Sequence, residues 1–252
     1  MFWNKSPKLP VTTEDKDWVE EYLLHLKDNP AEEHFLSLET ILPTKEFYNI
    51  TFFATEEDAH FVLEQTKIYM AIEHDNIKLQ SFSDQPVTMA DGTILSTPAD
   101  RNGSWQSAAG KYHVNDETIF ISIERKLLTD PQALIATIAH ELSHYILLGE
   151  KRIEENDEYL TDLLAIIYGF GIMMGNTRFL FSATRDIKMS GWEMSSSGYL
   201  PEQIIAYTIA WLCNYKTEEP VWKEMLNPTM LKYFNQSVAY IKKYPEMIRV
   251  EL

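Results

Sequence analysis

The chain has 252 residues, 45% of them apolar and 24% charged, which is ordinary for a globular protein with a real core. Its 22 Lys+Arg against 38 Asp+Glu give a formal charge of −16, which argues against nucleic acid and anionic membranes as partners. The lone cysteine, Cys213, cannot form an internal disulfide and reads as a buried thiol in the apolar stretch AWLCNY.

In chain order, Thr12 or Thr13 can cap a first helix, EDKDWVEEYLLHLKDN, with Trp18, Tyr22, Leu23 and Leu26 on one stripe and Asn29-Pro30 as its stop. The N-terminus lacks the continuous apolar region of a signal peptide. FYNITFFAT (47–55) is aromatic and β-branched and predicts a strand, EEDAHFVLEQTKIYMAI (56–72) a helix, and IKLQSF (77–82) a strand with alternating polarity. From Ser83 to Asp116 the turn vocabulary of SDQP, MADGT and TPADRNGS predicts a long loop.

TIFISI (118–123) predicts a strand, after which the chain reads as nearly all helix. Asp130-Pro131 is an N-cap followed by Pro at N1, opening a helix that runs to about Leu148 and ends at Gly149. A second helix fits 155–170, with Gly169 and Gly171 near its end. Its apolar run, LLAIIYGFGIMMGNT (163–177), falls short of the ~18 residues that a membrane span needs. Pro201 opens a third helix, PEQIIAYTIAWLCNY, and residues 221–243 hold one or two more.

The first of these C-terminal helices carries His140-Glu141-Leu142-Ser143-His144. Two histidines four apart share one face of a helix and can hold one Zn²⁺, and the glutamate beside the first can serve as base toward a water on the metal. The flanking ALIATIA and YILL are strongly apolar, so both imidazoles lie in a buried helix and need partners, an unpaired buried polar group costing about 1–3 kcal/mol. Asp162 raises the same question, because it interrupts the apolar run of the next helix. It follows Glu158 by four residues, so the two carboxylates share a face. That spacing suits Glu158 as third ligand and Asp162 as acceptor of a ring N–H from a ligating histidine.

HELSH followed by EYLTD (158–162) resembles the gluzincins, the zincin peptidases of the thermolysin and CAAX-prenyl-protease kind, whose pattern is H-E-x-x-H and then E-x-x-x-D or E-x-x-A-D on a second helix. The resemblance covers about residues 117–175, where a strand followed by the H-E-x-x-H helix is also similar to the minimal zincin core. It implies His140, His144 and Glu158 as ligands of one Zn²⁺ per chain, Glu141 as general base and Asp162 behind a ligand. Such peptidases usually carry a group that steadies the oxyanion. Tyr199, in SSSGYLPEQ, and Tyr207 are the candidates here, with His113 a weaker one.

The expected architecture is α+β and zincin-like: a mixed N-terminal region (1–116) with its long loop at 83–116, and a mostly helical metal-binding region (117–252), together one compact unit. The expected function is zinc-dependent hydrolysis of peptide or protein substrates in the cytoplasm, without membrane insertion. The alternatives are a catalytically silent zincin-fold sensor or interaction module that keeps the zinc, and a metal-free helical scaffold. Glu141 speaks against the sensor, because a purely structural site has no need of a base. Glu158 and Asp162 speak against the scaffold.

Overall fold

The computed structural model describes residues 6–27, 32–82, 87–88, 94–95, 110–115, 118–182 and 200–251. It is a mixed α+β fold, mostly helical, and its buried apolar side chains form one core cluster from Val11 to Ile248.

Helix α1 (Thr13–Lys27) is capped by Thr12, whose side chain accepts from Asp15 N at 3.1 Å while Asp15 accepts from Thr12 N. It buries Val19, Leu23 and Leu24 and packs against the helical half of the chain. The short α2 (Glu32–Ser37) follows, and then a segment that corrects the sequence reading. Residues 47–55 form no strand. Their backbone groups have other partners: Phe53 N and Thr55 N both donate to Asp58 Oδ2, at 2.8 and 3.0 Å, and the Tyr69 hydroxyl donates to Phe47 O. Ala54 turns through φ 61°, and Tyr48 is buried with its hydroxyl 3.0 Å from Thr66. Phe47 and Tyr48 thus pack against Tyr69 of α3 (Glu56–Tyr69), whose capping box is Thr55 and Asp58, while Phe53 is exposed.

The main sheet has the order β1-β5-β4. Strands β1 (Ile77–Phe82) and β5 (Thr118–Glu124) run parallel with Ile77 opposite Ile119. Strands β2 (Val87–Thr88) and β3 (Ile94–Leu95) form a small separate antiparallel pair. Strand β4 (Gly110–Asn115) lies antiparallel to β5, Tyr112 opposite Ile121. The expected 83–116 loop therefore contains paired strands, and β4 is an edge of the main sheet. Its sequence, GKYHVN, has too few apolar residues to announce a strand; β5 supplies the pairing. Because β1 pairs with β5 across the 116/117 boundary, the N- and C-terminal stretches share one sheet as well as one core.

Helix α4 (Pro131–His144) begins as its sequence demands, with the Asp130 side chain accepting from Ala133 N at 3.0 Å and Pro131 in the first turn. Every residue from Ala133 to His144 is buried, which for side chains such as Leu134, Ile138 and Leu142 contributes about 1.5–3 kcal/mol each. The helix widens into a π-helical turn over Tyr145–Gly149 and reverses. Gly149 permits a tight approach there, since a Cβ would stand 2.7 Å from Tyr145 Cδ2 and 2.9 Å from the Tyr112 hydroxyl.

Helix α5 (Glu158–Ala165) is capped by Asp157, which accepts from Tyr159 N and Leu160 N. The chain does not stop at Gly169 and Gly171. It kinks at Gly169, φ 96°, and resumes as α6 (Gly171–Ser182). Only glycine fits the kink, because a Cβ would meet Glu39 O at 2.2 Å. Residues 158–177 are together long and apolar enough to cross a membrane, but 89% of that window is buried inside the protein, where it forms core. Helices α7 (Glu202–Tyr215) and α8 (Pro228–Lys243) pack against each other and complete the helical half.

Candidate metal centre

The site lies where α4 faces α5. Periodicity puts His140 and His144 on one side of α4, and Glu158 and Asp162 on one side of α5. Packing then brings the two faces together: one donor atom each from His140, His144 and Glu158 lies within 4.8 Å of the others. His140 Nε2 is 3.1 Å from His144 Nε2 and 3.1 Å from Glu158 Oε2, and His144 Nε2 is 3.4 Å from the same oxygen.

The other ends of these side chains are already engaged. His140 Nδ1 donates to Asp162 Oδ1 at 2.8 Å, and Asp162 Oδ2 accepts from Leu200 N at 2.7 Å. On the second histidine, Nδ1 is 3.3 Å from Thr161 Oγ1. Glu158 Oε1 accepts from Asn156 Nδ2 at 2.8 Å, leaving Oε2 turned to the histidines. With the ring protons placed on Nδ1, two Nε2 lone pairs and a carboxylate oxygen converge on one point. Such a convergence is repulsive without a positive charge. Ligands held at ~2.0–2.1 Å around a tetrahedral zinc stand about 3.3 Å apart, which the observed triangle matches. The residues present therefore fit a divalent metal ion with two imidazoles and one carboxylate as ligands.

Burial alone would raise the Glu158 pKa, but the imidazoles of His140 and His144 outweigh it and hold the carboxyl far below its usual range. Glu141 is the opposite case. It is 3% exposed, and burial pushes its pKa up against the opposing pull of His140 and His144 and of a hydrogen bond from the Tyr112 backbone N–H. Glu158 adds to the upward push. Glu141 also lines a cavity of about 20 Å³ with Ala136, Thr137, His140, Asp162, Met174 and Ile205. That is room for one water.

No family, curated protein or solved structure matches this chain.

The structure brings together His140, His144, Glu158, Glu141 and Asp162. It sends Tyr207 elsewhere: this residue is fully buried, and its hydroxyl donates to Glu20 Oε1 at 2.6 Å. A hydroxyl so engaged does not serve as an oxyanion donor, and the expectation for Tyr207 is corrected on that ground. Tyr199 lies outside the described residues, and His113 is described only as a backbone position in β4.

Sequence reasoning missed two residues. Tyr112 stacks its ring on His144, centroids 6.2 Å apart, and its backbone N–H meets Glu141. Nothing in a stretch that read as loop pointed to it. Thr161 had a signal that passed unused: a hydroxyl in an otherwise apolar helix, next to Asp162, where a buried polar group needs a partner.

Proposed function

We propose that the protein is a zinc-dependent peptidase of the gluzincin-like, zincin-fold kind, working in the cytoplasm with one Zn²⁺ per chain on peptide or protein substrates. The observation that supports this most is the position of Glu141. A buried carboxyl with a raised pKa stands beside three convergent metal donors, and three protein ligands leave one tetrahedral position for a water or substrate.

His140, His144 and Glu158 would hold the zinc, which when bound would supply Lewis-acid polarisation of a carbonyl and acidification of a water. The remaining steps belong to the chain. Glu141 takes the proton of the attacking water and returns it to the departing amine as the peptide C–N bond breaks, a role that suits a carboxyl buried beside the metal donors. Asp162 fixes the ring that carries the His140 ligand nitrogen. The hydrogen bond from Tyr112 N–H holds the Glu141 carboxyl in place.

A second reading, a metal-bearing protein without turnover, draws support from the cavity, which at about 20 Å³ holds no peptide side chain as it stands, and from the diversion of Tyr207 to Glu20. One experiment separates the two. Wild type and Glu141→Gln are loaded with zinc, their metal content is measured, and both are incubated with a peptide library read by mass spectrometry. The peptidase reading expects equal zinc in both and cleavage by wild type alone. Equal inertness of both toward the library would favour the silent reading, and absence of zinc from both would overturn the metal site itself.

A further inference from the structure

We propose that Thr161 is a positioning residue for the metal: its hydroxyl sets the tautomer of His144 and so aims the Nε2 lone pair at the ion. The inference rests on the zinc reading above and adds to it a residue with a defined task.

Thr161 is fully buried on α5, one position before Asp162. Its hydroxyl has one proton, and that proton is committed: Thr161 Oγ1 donates to Asp157 O at 2.8 Å, one turn back. A hydroxyl that has given its only proton offers lone pairs alone. The group that meets them is His144 Nδ1, at 3.3 Å, and it can pair with Thr161 only by donating. His144 therefore carries its proton on Nδ1, and Nε2, which faces His140 Nε2 and Glu158 Oε2, is the bare nitrogen.

The alternative role is the common one for a helical threonine, in which the bond to the carbonyl four residues back satisfies the hydroxyl and nothing more. Three features argue for more than that. The acceptor carbonyl belongs to Asp157, the cap of α5, so the proton is tied down at the rigid start of the helix. The hydroxyl sits between that carbonyl and a ligand ring. The two ligand histidines are also supported from adjacent residues of one helix, His140 by the Asp162 carboxylate and His144 by the neutral Thr161. A hydroxyl adds no second negative charge behind the metal, so the pair of supports orients both rings without over-charging a buried site that already holds Glu158 and Asp162.

The test compares wild type, Thr161→Val and Thr161→Ser. Zinc affinity is measured by competition with a chromophoric chelator, and the His144 ring nitrogens are observed by ¹⁵N NMR in the metal-free protein, where no ion dictates which nitrogen carries the proton. Valine keeps the shape and loses the acceptor, and is expected to weaken zinc binding roughly 10–100-fold, with serine restoring it. The NMR spectrum of wild type is expected to show the proton on Nδ1, which needs no variant to fold. Two results would overturn the proposal while leaving the metal site intact: wild type and Thr161→Val binding zinc equally, or a His144 proton found on Nε2. Failure of wild type to bind zinc at all would overturn the metal reading, and this proposal with it.

Discussion

His140 and Asp162 meet through Nδ1 and Oδ1 at 2.8 Å, and the second oxygen of Asp162 holds the backbone N–H of Leu200 at 2.7 Å. One buried carboxylate thus joins a candidate metal ligand on α4 to the start of the segment that leads into α7. Asp162 is 1% exposed, so it draws on these two donors rather than on water.

Replacing Asp162 tests that relationship. In Asp162→Asn the single carbonyl oxygen can accept from His140 or from Leu200 and not from both, and an amide NH₂ turned toward Nδ1 forces the ring proton onto Nε2. We expect zinc affinity to fall roughly 10–100-fold, measured by chelator competition. An unchanged affinity would remove Asp162 from any part in holding the ligand.

The acidic residues at the start of α5 divide into separate tasks. Glu158 points its Oε2 at the two histidines, whereas Asp157 spends its carboxylate on Tyr159 N and Leu160 N. Glu158→Ala is expected to abolish stoichiometric zinc. Asp157→Ala is expected to cost about 0.5–2 kcal/mol of stability as a lost cap and to disturb the metal far less. Glu154→Ala and Glu155→Ala, both at exposed positions, should do neither. Zinc titration beside urea denaturation of all four variants checks this, and a larger zinc loss in Asp157→Ala than in Glu158→Ala would contradict the ligand assignment.

Tyr207, Glu20 and Lys16 form a buried cluster in which Glu20 accepts from the Tyr207 hydroxyl at 2.6 Å, from Lys16 Nζ at 2.7 Å and from Arg249 N at 3.1 Å. Tyr207→Phe removes one donor from a buried carboxylate and is expected to cost about 1.5–3 kcal/mol in urea unfolding, with zinc content unchanged. A loss of zinc or of turnover with full stability would return Tyr207 to the site. Burial draws the Lys16 pKa down, but Glu20 and Asp17 together raise it above the ordinary lysine value of 10.5. A cation whose pKa is higher in the folded state stabilises fully below its unfolded pKa and loses that contribution as pH rises through the folded one. The stability gap between wild type and Lys16→Met should therefore hold steady up to about pH 10 and shrink above it.

The features legible in the sequence are those that depend on one segment at a time. The cap at Asp130-Pro131, the apolar length of α4 and the four-residue spacing of His140 with His144 and of Glu158 with Asp162 all follow from helical geometry. A residue's place on a helix face is settled by its neighbours in the chain. The strand IKLQSF appears with the bounds its alternation implies. Residues 47–55 and 110–115 went the other way, because strand-forming residues make a strand only where a partner edge is available. The Asp58 carboxylate took the amides of the first segment, and β5 supplied the edge for the second.

The same division runs through the site. Sequence alone singled out His140, His144, Glu158, Glu141 and Asp162, since each is a polar group placed periodically in or beside an apolar helix. Only the tertiary structure decided that Tyr207 bonds Glu20, that Tyr112 covers His144, and that the Thr161 hydroxyl stands behind the second histidine. A hydroxyl can bond to whatever lies within about 3 Å, and what lies there is fixed by how helices and strands distant in sequence come to pack.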